Sequence, residues 1–413
     1  MNTKKYYDYV IIGSGLSGLY SAYLIKKHSP SKTFIVLDKE KKAWIGGRTG
    51  NELFYGNEIV TGAGVGRKDK DTLLIRLLKD FNISVQECTI KMNYAKTIKH
   101  PVNVLKVIEY LRKEYKEHNK LKENINFKQF AEPLLGVKLY KDFTICAGYT
   151  DYEKEDVYEV LYNYGFDDNH PGWTSLIVPW KKLVMKLIDF IGSNNVKSLQ
   201  KVCKIKKLQN NPCLFESICE NELKYYSNQI IIATTITSLN KLLPMYPIYK
   251  QIKGQPFLRV YGKFTKSSSK ILEHFIPYQT IVPGPLHKII PLKNGVYMIA
   301  YTDNKGALVL KDHIENNAKN RLFFCNLLER SLGIEECTLN LIAIKGFYWP
   351  IGTHYYEPLK GFKDRESFLK VAHHPEQGIT VVGEMVSMDQ GWTEGALESV
   401  EAVKNDLLNK HIC

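Results

Sequence analysis

Residues 9–18 read Tyr-Val-Ile-Ile-Gly-Ser-Gly-Leu-Ser-Gly, and this stretch decides how the fold begins. The apolar run Tyr9 to Ile12 predicts a β-strand, and apolar residues at helical spacing through Lys27 predict a helix after the glycines. A second apolar run, Thr33 to Leu37, ends at Asp38 and predicts another strand. Strand, turn, helix and strand together indicate a βαβ unit, which implies a parallel sheet.

The glycine turn has the spacing of a dinucleotide-binding fingerprint, in the structural context that such a fingerprint requires. Gly13 permits the tight turn, Gly15 leaves room for a pyrophosphate, and Gly18 lets the helix pack closely on the strand. The helix N-terminus offers free N–H groups to phosphates, and Asp38 is placed to bind an adenosine ribose. The turn predicts a bound NAD or FAD, and a turn without a ligand is the alternative. We expect every residue of the turn to line the site: Gly13, Ser14, Gly15, Leu16, Ser17 and Gly18.

Composition bounds the class of protein. The 413 residues, 44% hydrophobic and 24% charged, are typical of a globular chain with a large core. No apolar run approaches the roughly 18 residues that span a bilayer, and no secretory signal is recognisable, so we expect an intracellular location, in the cytoplasm. The eight cysteines form no C-x-x-C pair, so we expect free thiols and no metal. The net charge of +14 is spread along the chain, which favours a lysine-rich surface over nucleic-acid binding.

Further motifs indicate which of the two dinucleotides, NAD or FAD, the chain would bind. Gly46-Gly47-Arg48 follows Asp38 after a short loop, and the far end of the chain carries Val382-Gly383-Glu384 and the segment from Gly391 to Ser399. In this order the motifs resemble those of the flavin-containing amine oxidase superfamily, which includes monoamine, polyamine and L-amino acid oxidases. The loop before Gly46 is about two residues longer than is usual there, and Asp38 replaces the usual glutamate.

The resemblance implies a non-covalently bound FAD, since no cysteine lies between Cys337 and Glu384. Gly47 and Arg48 would lie beside the pyrophosphate, and Glu384 would bind the ribityl chain. The start of the last helix would direct N–H groups at the pyrimidine oxygen of the flavin. The further cofactor-binding residues that it implies are Gly62, Ala63, Gly64, Val65, Val202, Gly383, Trp392, Thr393 and Ala396.

Aromatic residues are the candidates for the substrate site, because an amine held between ring faces is oriented and partly desolvated. Trp392 takes the place of an aromatic cage residue of the family. Trp349 lies in a Trp-Pro-Ile-Gly segment like that of polyamine oxidases, and Phe347 or Tyr348 would complete the cage. Packing in the core is the alternative for each of these side chains.

One position departs from the family pattern. A lysine that holds a water molecule near the flavin is usual in a strand here identified as Gln255 to Phe264, and Arg259 stands at its place. Arg259 would either leave that water to another group, bind a substrate carboxylate through its forked guanidinium, or form a structural ion pair. A four-residue shift in register would put Lys263 there instead.

The resemblance covers the whole chain and implies a mixed α/β fold with a Rossmann-type FAD-binding domain interleaved with a substrate domain. We expect residues 1–68, 195–248 and 371–413 to form the first domain. Residues 69–194, read as a mainly helical insertion, and 249–370 would form the second. Lys266 to Lys270 is expected to be a surface loop, and single helices are expected from Lys311 to Ser331 and from Gly395 to Leu408.

Three functions remain open from the sequence. The first is an oxidase of a polyamine or monoamine, which passes a hydride to flavin N5 and releases H2O2 and an imine that hydrolyses. The second is an L-amino acid oxidase in which Arg259 binds the carboxylate. The third is an FAD-binding protein without oxidase activity. The expected partners are a small-molecule amine and O2, without nucleic acid; the sequence indicates no oligomeric state. The cluster from Asp151 to Asp156, with Asp167 and Asp168, would line an acidic funnel or form a solvated helix face.

Overall fold

A computed structural model describes residues 6–117, 124–166, 171–208 and 211–409. Its strands are β1 (Tyr6–Ile12), β2 (Phe34–Leu37), β3 (Asn51–Phe54), β4 (Asn57–Val60), β5 (Gly66–Arg67), β6 (Gln86–Thr89), β7 (Met92–Tyr94), β8 (Thr174–Ile177), β9 (Val196–Lys197), β10 (Val202–Leu208), β11 (Asn211–Cys219), β12 (Lys224–Ile232), β13 (Ile252–Phe264), β14 (Gln279–Ile281), β15 (Lys288–Pro291), β16 (Val296–Asp303), β17 (Leu341–Tyr356) and β18 (Ile379–Val381). Its helices are α1 (Leu16–His28), α2 (Thr72–Asp80), α3 (Val104–Glu117), α4 (Phe127–Ala147), α5 (Val157–Tyr162), α6 (Trp180–Ile191), α7 (Ile236–Leu242), α8 (Lys266–Phe275), α9 (Asn304–Leu310), α10 (Ala318–Leu332), α11 (Arg365–His373), α12 (Thr393–Glu401) and α13 (Lys404–Asn409).

The first sheet is built around the N-terminal strand. Its order is β10-β11-β12-β1-β2-β9, and β18 also pairs with β12. Strand β1 runs parallel to β12 and β2, as the βαβ pattern predicts. Alternate residues of β1 enter two different cores, Tyr9 and Ile11 on the face that α1 covers and Val10 and Ile12 on the other. Burial of both faces explains why this strand is a continuous apolar run.

The second sheet carries the candidate substrate site. Its order is β17-β13-β16-β15-β14-β7, with the long strand β13 antiparallel to both β16 and β17. Helices α8, α9 and α10 pack on one face around Leu272, Leu310 and Phe324. The structure therefore confirms a mixed α/β fold, and these are the two largest of the four sheets that the described residues form.

The region from 69 to 194 is less uniformly helical than expected. Helices α3, α4 and α5 share an apolar cluster around Phe127 and Phe143, but the short strands β6, β7 and β8 lie in the same region. Strand β7 joins the second sheet beside β14, and β6 and β8 pair in a small sheet with β5. Across the described ranges, no helix has both the length and the apolar character to cross a membrane.

Three local predictions are wrong, and helix capping explains two of them. Lys266 to Lys270 is the first turn of α8, because the Thr265 side chain accepts a hydrogen bond from the backbone N–H of Ser268 and caps the helix. The helix expected from Lys311 begins only at Ala318, where Asn317 is the cap. The single helix expected at the C-terminal end is divided in two, because α12 ends at Glu401 and α13 begins at Lys404.

Candidate functional site

The glycine turn lies at the end of β1 and meets the start of α1. Gly13 has φ +105, and a Cβ there would lie 2.3 Å from the Ala233 carbonyl oxygen. A Cβ on Gly18 would lie 2.0 Å from the Gly13 oxygen, so both positions must be glycine for close packing. A Cβ on Gly15 would meet no atom within 4 Å. Gly15 therefore faces open space that a ligand can approach.

The N-terminus of α1 is available to an anion. Gly15 is its N-cap, and none of the described side chains caps it. The first hydrogen bond within the helix runs from the Leu19 N–H to the Gly15 carbonyl. The N–H groups of Leu16, Ser17 and Gly18 precede that bond, so they point outward toward the open space.

Asp38 stabilises the glycine turn through hydrogen bonds. Its Oδ2 accepts hydrogen bonds from the backbone N–H of Ser14 at 2.7 Å and from the Ser14 hydroxyl at 2.5 Å. Its Oδ1 accepts a hydrogen bond from the Glu40 N–H at 2.8 Å. The Gln200 N–H also donates to the Asp38 carbonyl, which brings the chain just before Val202 beside Asp38. The carboxylate thus holds the turn in shape.

The loop from Gly46 to Arg48 lies directly on the glycine turn. The Gly46 N–H donates to the Ser14 carbonyl at 3.0 Å, and a Cβ on Gly47 would lie 3.6 Å from the Gly15 Cα. Arg48 then reaches across to the C-terminal part of the chain, where its Nη1 donates to Gly352 O at 2.6 Å.

Glu384 joins the N-terminal and C-terminal motifs. Its Oε1 accepts hydrogen bonds from Arg48 Nη1 at 2.8 Å and from His354 Nδ1 at 2.6 Å. His354 Nε2 accepts a hydrogen bond from the Ile236 N–H, so the proton of the imidazole is on Nδ1. Burial by itself would raise the pKa of Glu384, but His354 and Arg48 more than offset this and lower it to about 2.

The second oxygen of Glu384 tests whether the site suits a cofactor. Oε2 is buried, and no group in the described part of the chain donates to it. A buried acceptor without a donor is costly unless a ligand supplies one. The hydroxyl groups of an FAD sugar chain are donors of the required kind. The residues therefore fit FAD at this point.

The start of α12 offers a second point of fit. Among the described side chains none caps this helix, whose N-cap is Trp392, and Thr393 Oγ1 is buried without a hydrogen-bond partner. A Cβ on Gly395 would lie 2.1 Å from the Asp389 carbonyl oxygen. Ala396 is buried, and Ser399 Oγ accepts a hydrogen bond from the Gly383 N–H, which fixes α12 to the Gly383-Glu384 turn.

Most of the candidate substrate-site side chains contact the segment from Thr61 to Arg67. This segment is held to the Arg48 loop, because the Ala63 N–H donates to the Arg48 carbonyl and a Cβ on Gly62 would lie 2.3 Å from that oxygen. Val65 continues the segment toward β5. The indole N–H of Trp349 donates to Thr61 O at 2.7 Å, and the ring of Trp349 lies against Trp44.

Arg259 approaches the same segment at Gly64. One of its Nη atoms lies 3.2 Å from the position of a Cβ on Gly64, and the guanidinium lies 3.9 Å from the centre of the Tyr301 ring. The side chain is 5% exposed. Within the described ranges no carboxylate forms an ion pair with it, so the structure offers no support for a structural ion pair of Arg259.

Trp392 meets the end of the segment. Its ring lies 4.1 Å from the guanidinium of Arg67, and the buried Arg67 forms ion pairs with Asp71 and Asp389. Trp349 and Trp392 make no ring–ring contact among the described residues. They lie at the two ends of the segment, so the structure does not bring them together as one cage.

Three candidates lie elsewhere. Lys263 donates to the Asn294 carbonyl near the ring of Tyr55, whereas Arg259, four residues earlier on β13, is the residue that approaches Gly64. Phe347 is buried in an apolar cluster with Tyr261 and Met298, which is the core-packing alternative. Tyr348 packs against the cluster on the opposite face of the sheet.

Sequence motifs do not identify four further functional candidates, which are His354, Arg67, Trp180 and Lys288. Trp180 donates its indole N–H to Gly64 O at 3.1 Å. Lys288 is 1% exposed, with Nζ over the Tyr149 ring. Burial lowers the pKa of Lys288 to about 7, although the nearby Asp151 and Asp303 oppose this. None of these residues belongs to a short motif, so only the tertiary structure reveals them.

Comparisons with known proteins bear on the fold. Residues 11–81 match the family model of an NAD(P)-binding Rossmann-like domain. No curated protein sequence matches the chain. The chain has the fold of putrescine oxidase. Wild-type putrescine oxidase bound to putrescine superposes with a TM-score of 0.72 at 13% identity, covering 98% of this chain and 100% of that one. A triple mutant of the same enzyme gives 0.74 at 13% identity, covering 98% and 99%.

Proposed function

We propose that the protein is an FAD-dependent oxidase of amines that binds FAD without a covalent link. The observation that carries the proposal is Glu384, whose buried Oε2 lacks a donor at the point where the Arg48 loop and the C-terminal motif meet. The fold of putrescine oxidase and the match to a Rossmann-like domain support it.

The chain offers a group for each part of the cofactor. The N–H groups at the start of α1, with Gly15 and Gly47, would receive the pyrophosphate. Asp38 would face the adenosine ribose beside the segment that leads to Val202, and Glu384 would accept hydroxyl groups of the ribityl chain. The start of α12 at Thr393 would stabilise negative charge on the pyrimidine ring.

A bound flavin would supply the oxidising ring, accept a hydride from the amine-bearing carbon at N5, and be reoxidised by O2 with release of H2O2. The chain itself would orient the amine and exclude water. Trp349 is fixed by its hydrogen bond to Thr61, and Trp392 is fixed by its contact with Arg67. Each presents a rigid aromatic wall along the segment that would pass the flavin.

A direct experiment tests the proposal. The purified protein should show the visible absorption bands of a protein-bound flavin, and acid precipitation should release FAD into the supernatant. Amines should bleach the flavin without oxygen and should yield H2O2 with oxygen. A bound flavin that no amine and no amino acid reduces would exclude both oxidase functions and leave an FAD-binding protein without turnover.

A second candidate function is an L-amino acid oxidase, and the buried Arg259 favours it. A buried charge is normally paired, and no carboxylate in the described part of the chain pairs with this one. A substrate carboxylate would supply the missing partner in a forked geometry. The change Arg259→Met should raise KM for amino acids at least tenfold more than KM for amines without a carboxylate. An equal effect on both would contradict this role.

A further inference from the structure

Trp44 is a large aromatic residue at the surface that contacts a residue of the candidate site. It ends a short 3₁₀ helix, Lys42–Trp44, and is 37% exposed. Its ring meets the ring of Trp349 edge to face, with the ring centres 5.8 Å apart. The indole N–H of Trp349 in turn donates to Thr61 O at 2.7 Å. A continuous path of contacts therefore joins the surface to the segment that would pass the flavin.

Backbone hydrogen bonds fix the position of Trp44. Its N–H donates to the Lys41 carbonyl at 2.8 Å, and its carbonyl accepts a hydrogen bond from the Gly47 N–H at 3.1 Å. Gly47 lies against Gly15 of the glycine turn, since a Cβ on Gly47 would lie 3.6 Å from the Gly15 Cα. The ring is thus presented to solvent by a loop that is tied to the candidate FAD site.

Lysines accompany Trp44 at the surface. Lys39, Lys41 and Lys42 precede it in the same loop and are exposed. Lys197 is exposed on β9, and its carbonyl accepts a hydrogen bond from the N–H of Asp38, where the loop starts. We call Trp44 and these four lysines the Trp44 patch. Among the described side chains, only Lys39 of the four has an ionic partner, which is Glu40 at 3.5 Å. The patch therefore carries an excess of positive charge.

The acidic stretch from Asp151 to Asp156 does not neutralise these lysines. None of its described side chains forms an ion pair with them. Glu155 within the stretch is buried, so the stretch is not wholly a solvated helix face. Asp167 and Asp168 lie outside the described residues.

The charge and the exposed ring together indicate the chemistry of a partner. A group of lysines steers and binds an acidic protein surface, and an exposed tryptophan is a favoured anchor at protein interfaces. A partner on Trp44 would be separated from the Thr61 segment by two aromatic rings in contact. Electrons pass more readily across touching rings than across an open gap of the same length.

We propose that the Trp44 patch docks an acidic one-electron carrier protein, and that Trp44 and Trp349 form the route by which electrons reach it. This inference rests on the proposed function for the source of the electrons. Oxidation of an amine R-CH2-NH3+ to the imine R-CH=NH2+ releases two electrons and two protons. Two carrier molecules would each take up one electron, and the protons would pass to water. The chain would then act as an amine dehydrogenase wherever such a carrier replaces O2.

The first test measures docking without turnover. Oxidised cytochrome b5, an acidic haem protein that carries one electron, is titrated calorimetrically into the holoprotein at low ionic strength. The double variant Lys41→Gln/Lys42→Gln should bind it at least tenfold more weakly than wild type, and added salt should remove most of this difference. The control Lys181→Gln/Lys182→Gln, which removes the same charge from the exposed face of α6, should bind within twofold of wild type. Equal weakening by both double variants, or no binding by wild type, would overturn the docking assignment.

The second test measures the route without an amine. The holoprotein is reduced with dithionite, freed of excess reductant and mixed with oxidised cytochrome b5 in the absence of oxygen, and reoxidation is followed by stopped-flow absorbance. Trp44→Leu should slow this reoxidation at least tenfold, whereas Trp44→Phe, which keeps a ring, should stay within threefold of wild type. Reoxidation by O2 should be unchanged in both variants, which shows that the flavin site is intact.

The outcomes separate this inference from the proposed function. If no amine reduces the flavin but Trp44→Leu still slows electron transfer to cytochrome b5, the oxidase function fails and the route remains. If amines reduce the flavin and Trp44→Leu transfers electrons to cytochrome b5 as fast as wild type, the route is wrong and the oxidase function remains.

Discussion

Glu384 gives the sharpest prediction about stability. In the FAD-free protein its carboxylate is buried and paired with Arg48 and His354, and its pKa is lowered from 4.5 to about 2. At about 1.4 kcal/mol per pKa unit, this difference is worth about 3 kcal/mol of folding stability. Glutamine has the same shape but no charge. We therefore expect Glu384→Gln to lower the free energy of unfolding by about 3 kcal/mol at pH 7.

The pH dependence distinguishes this cause from a simple packing defect. Because the pKa of Glu384 is lower in the folded state, its contribution is complete above the unfolded value of 4.5 and is lost as the pH falls toward 2. Urea unfolding followed by tryptophan fluorescence should show the gap between wild type and Glu384→Gln closing over that range. Glu220→Gln, at an exposed surface pair with Lys201, serves as the control. A gap of constant size from pH 7 to pH 3 would refute the electrostatic explanation.

Three further changes test other parts of the structure. Gly18→Ala puts a Cβ 2.0 Å from the Gly13 oxygen, so we expect a loss of about 1–3 kcal/mol and weaker FAD retention, measured by unfolding and by flavin content. Arg67→Met leaves two carboxylates unpaired and should cost about 3–5 kcal/mol, whereas Arg76→Met at a more exposed pair should cost under about 1 kcal/mol in the same unfolding assay. Burial lowers the pKa of His373 to about 4, so protonation of its ring opposes folding. The free energy of unfolding of the wild type should therefore fall as the pH falls from 6.5 toward 4, and that of His373→Gln should fall by about 3 kcal/mol less over the same range.

The sequence predicted the parts of the fold that depend on neighbouring residues. The β1 run, the glycine turn and α1 follow one another within 20 residues, and each glycine there meets a backbone atom or an opening that its position implies. Polar residues at helix starts were harder to read. Lys266 to Lys270 has the composition of a loop, but Thr265 caps a helix and Ser268 and Ser269 are buried in it.

The sequence predicts residues of the candidate site only where they belong to a recognisable motif. Gly46 to Arg48 and Glu384 were found because their types and order are distinctive, although the sequence did not predict that Arg48 and Glu384 would pair. His354 belongs to no recognised motif, so neither its burial nor its bond to Glu384 could be deduced from the sequence. The motif at Trp392 predicts an aromatic wall, but it did not predict that the ring would pack on the guanidinium of Arg67.

A buried cation and the net charge of the chain restrict the choice of substrate. Arg259 on β13 is buried and has no ionic partner in the described part of the chain. A diamine would bring a second cation near the guanidinium, whereas an amino acid would bring a carboxylate that can pair with it. The net charge of +14 also repels a polycation at long range more than it repels an amino acid with a carboxylate. We therefore expect kcat/KM for lysine to exceed that for 1,4-diaminobutane, and Arg259→Met to reverse this order. A wild-type preference for the diamine would contradict the pairing of Arg259 with a substrate carboxylate.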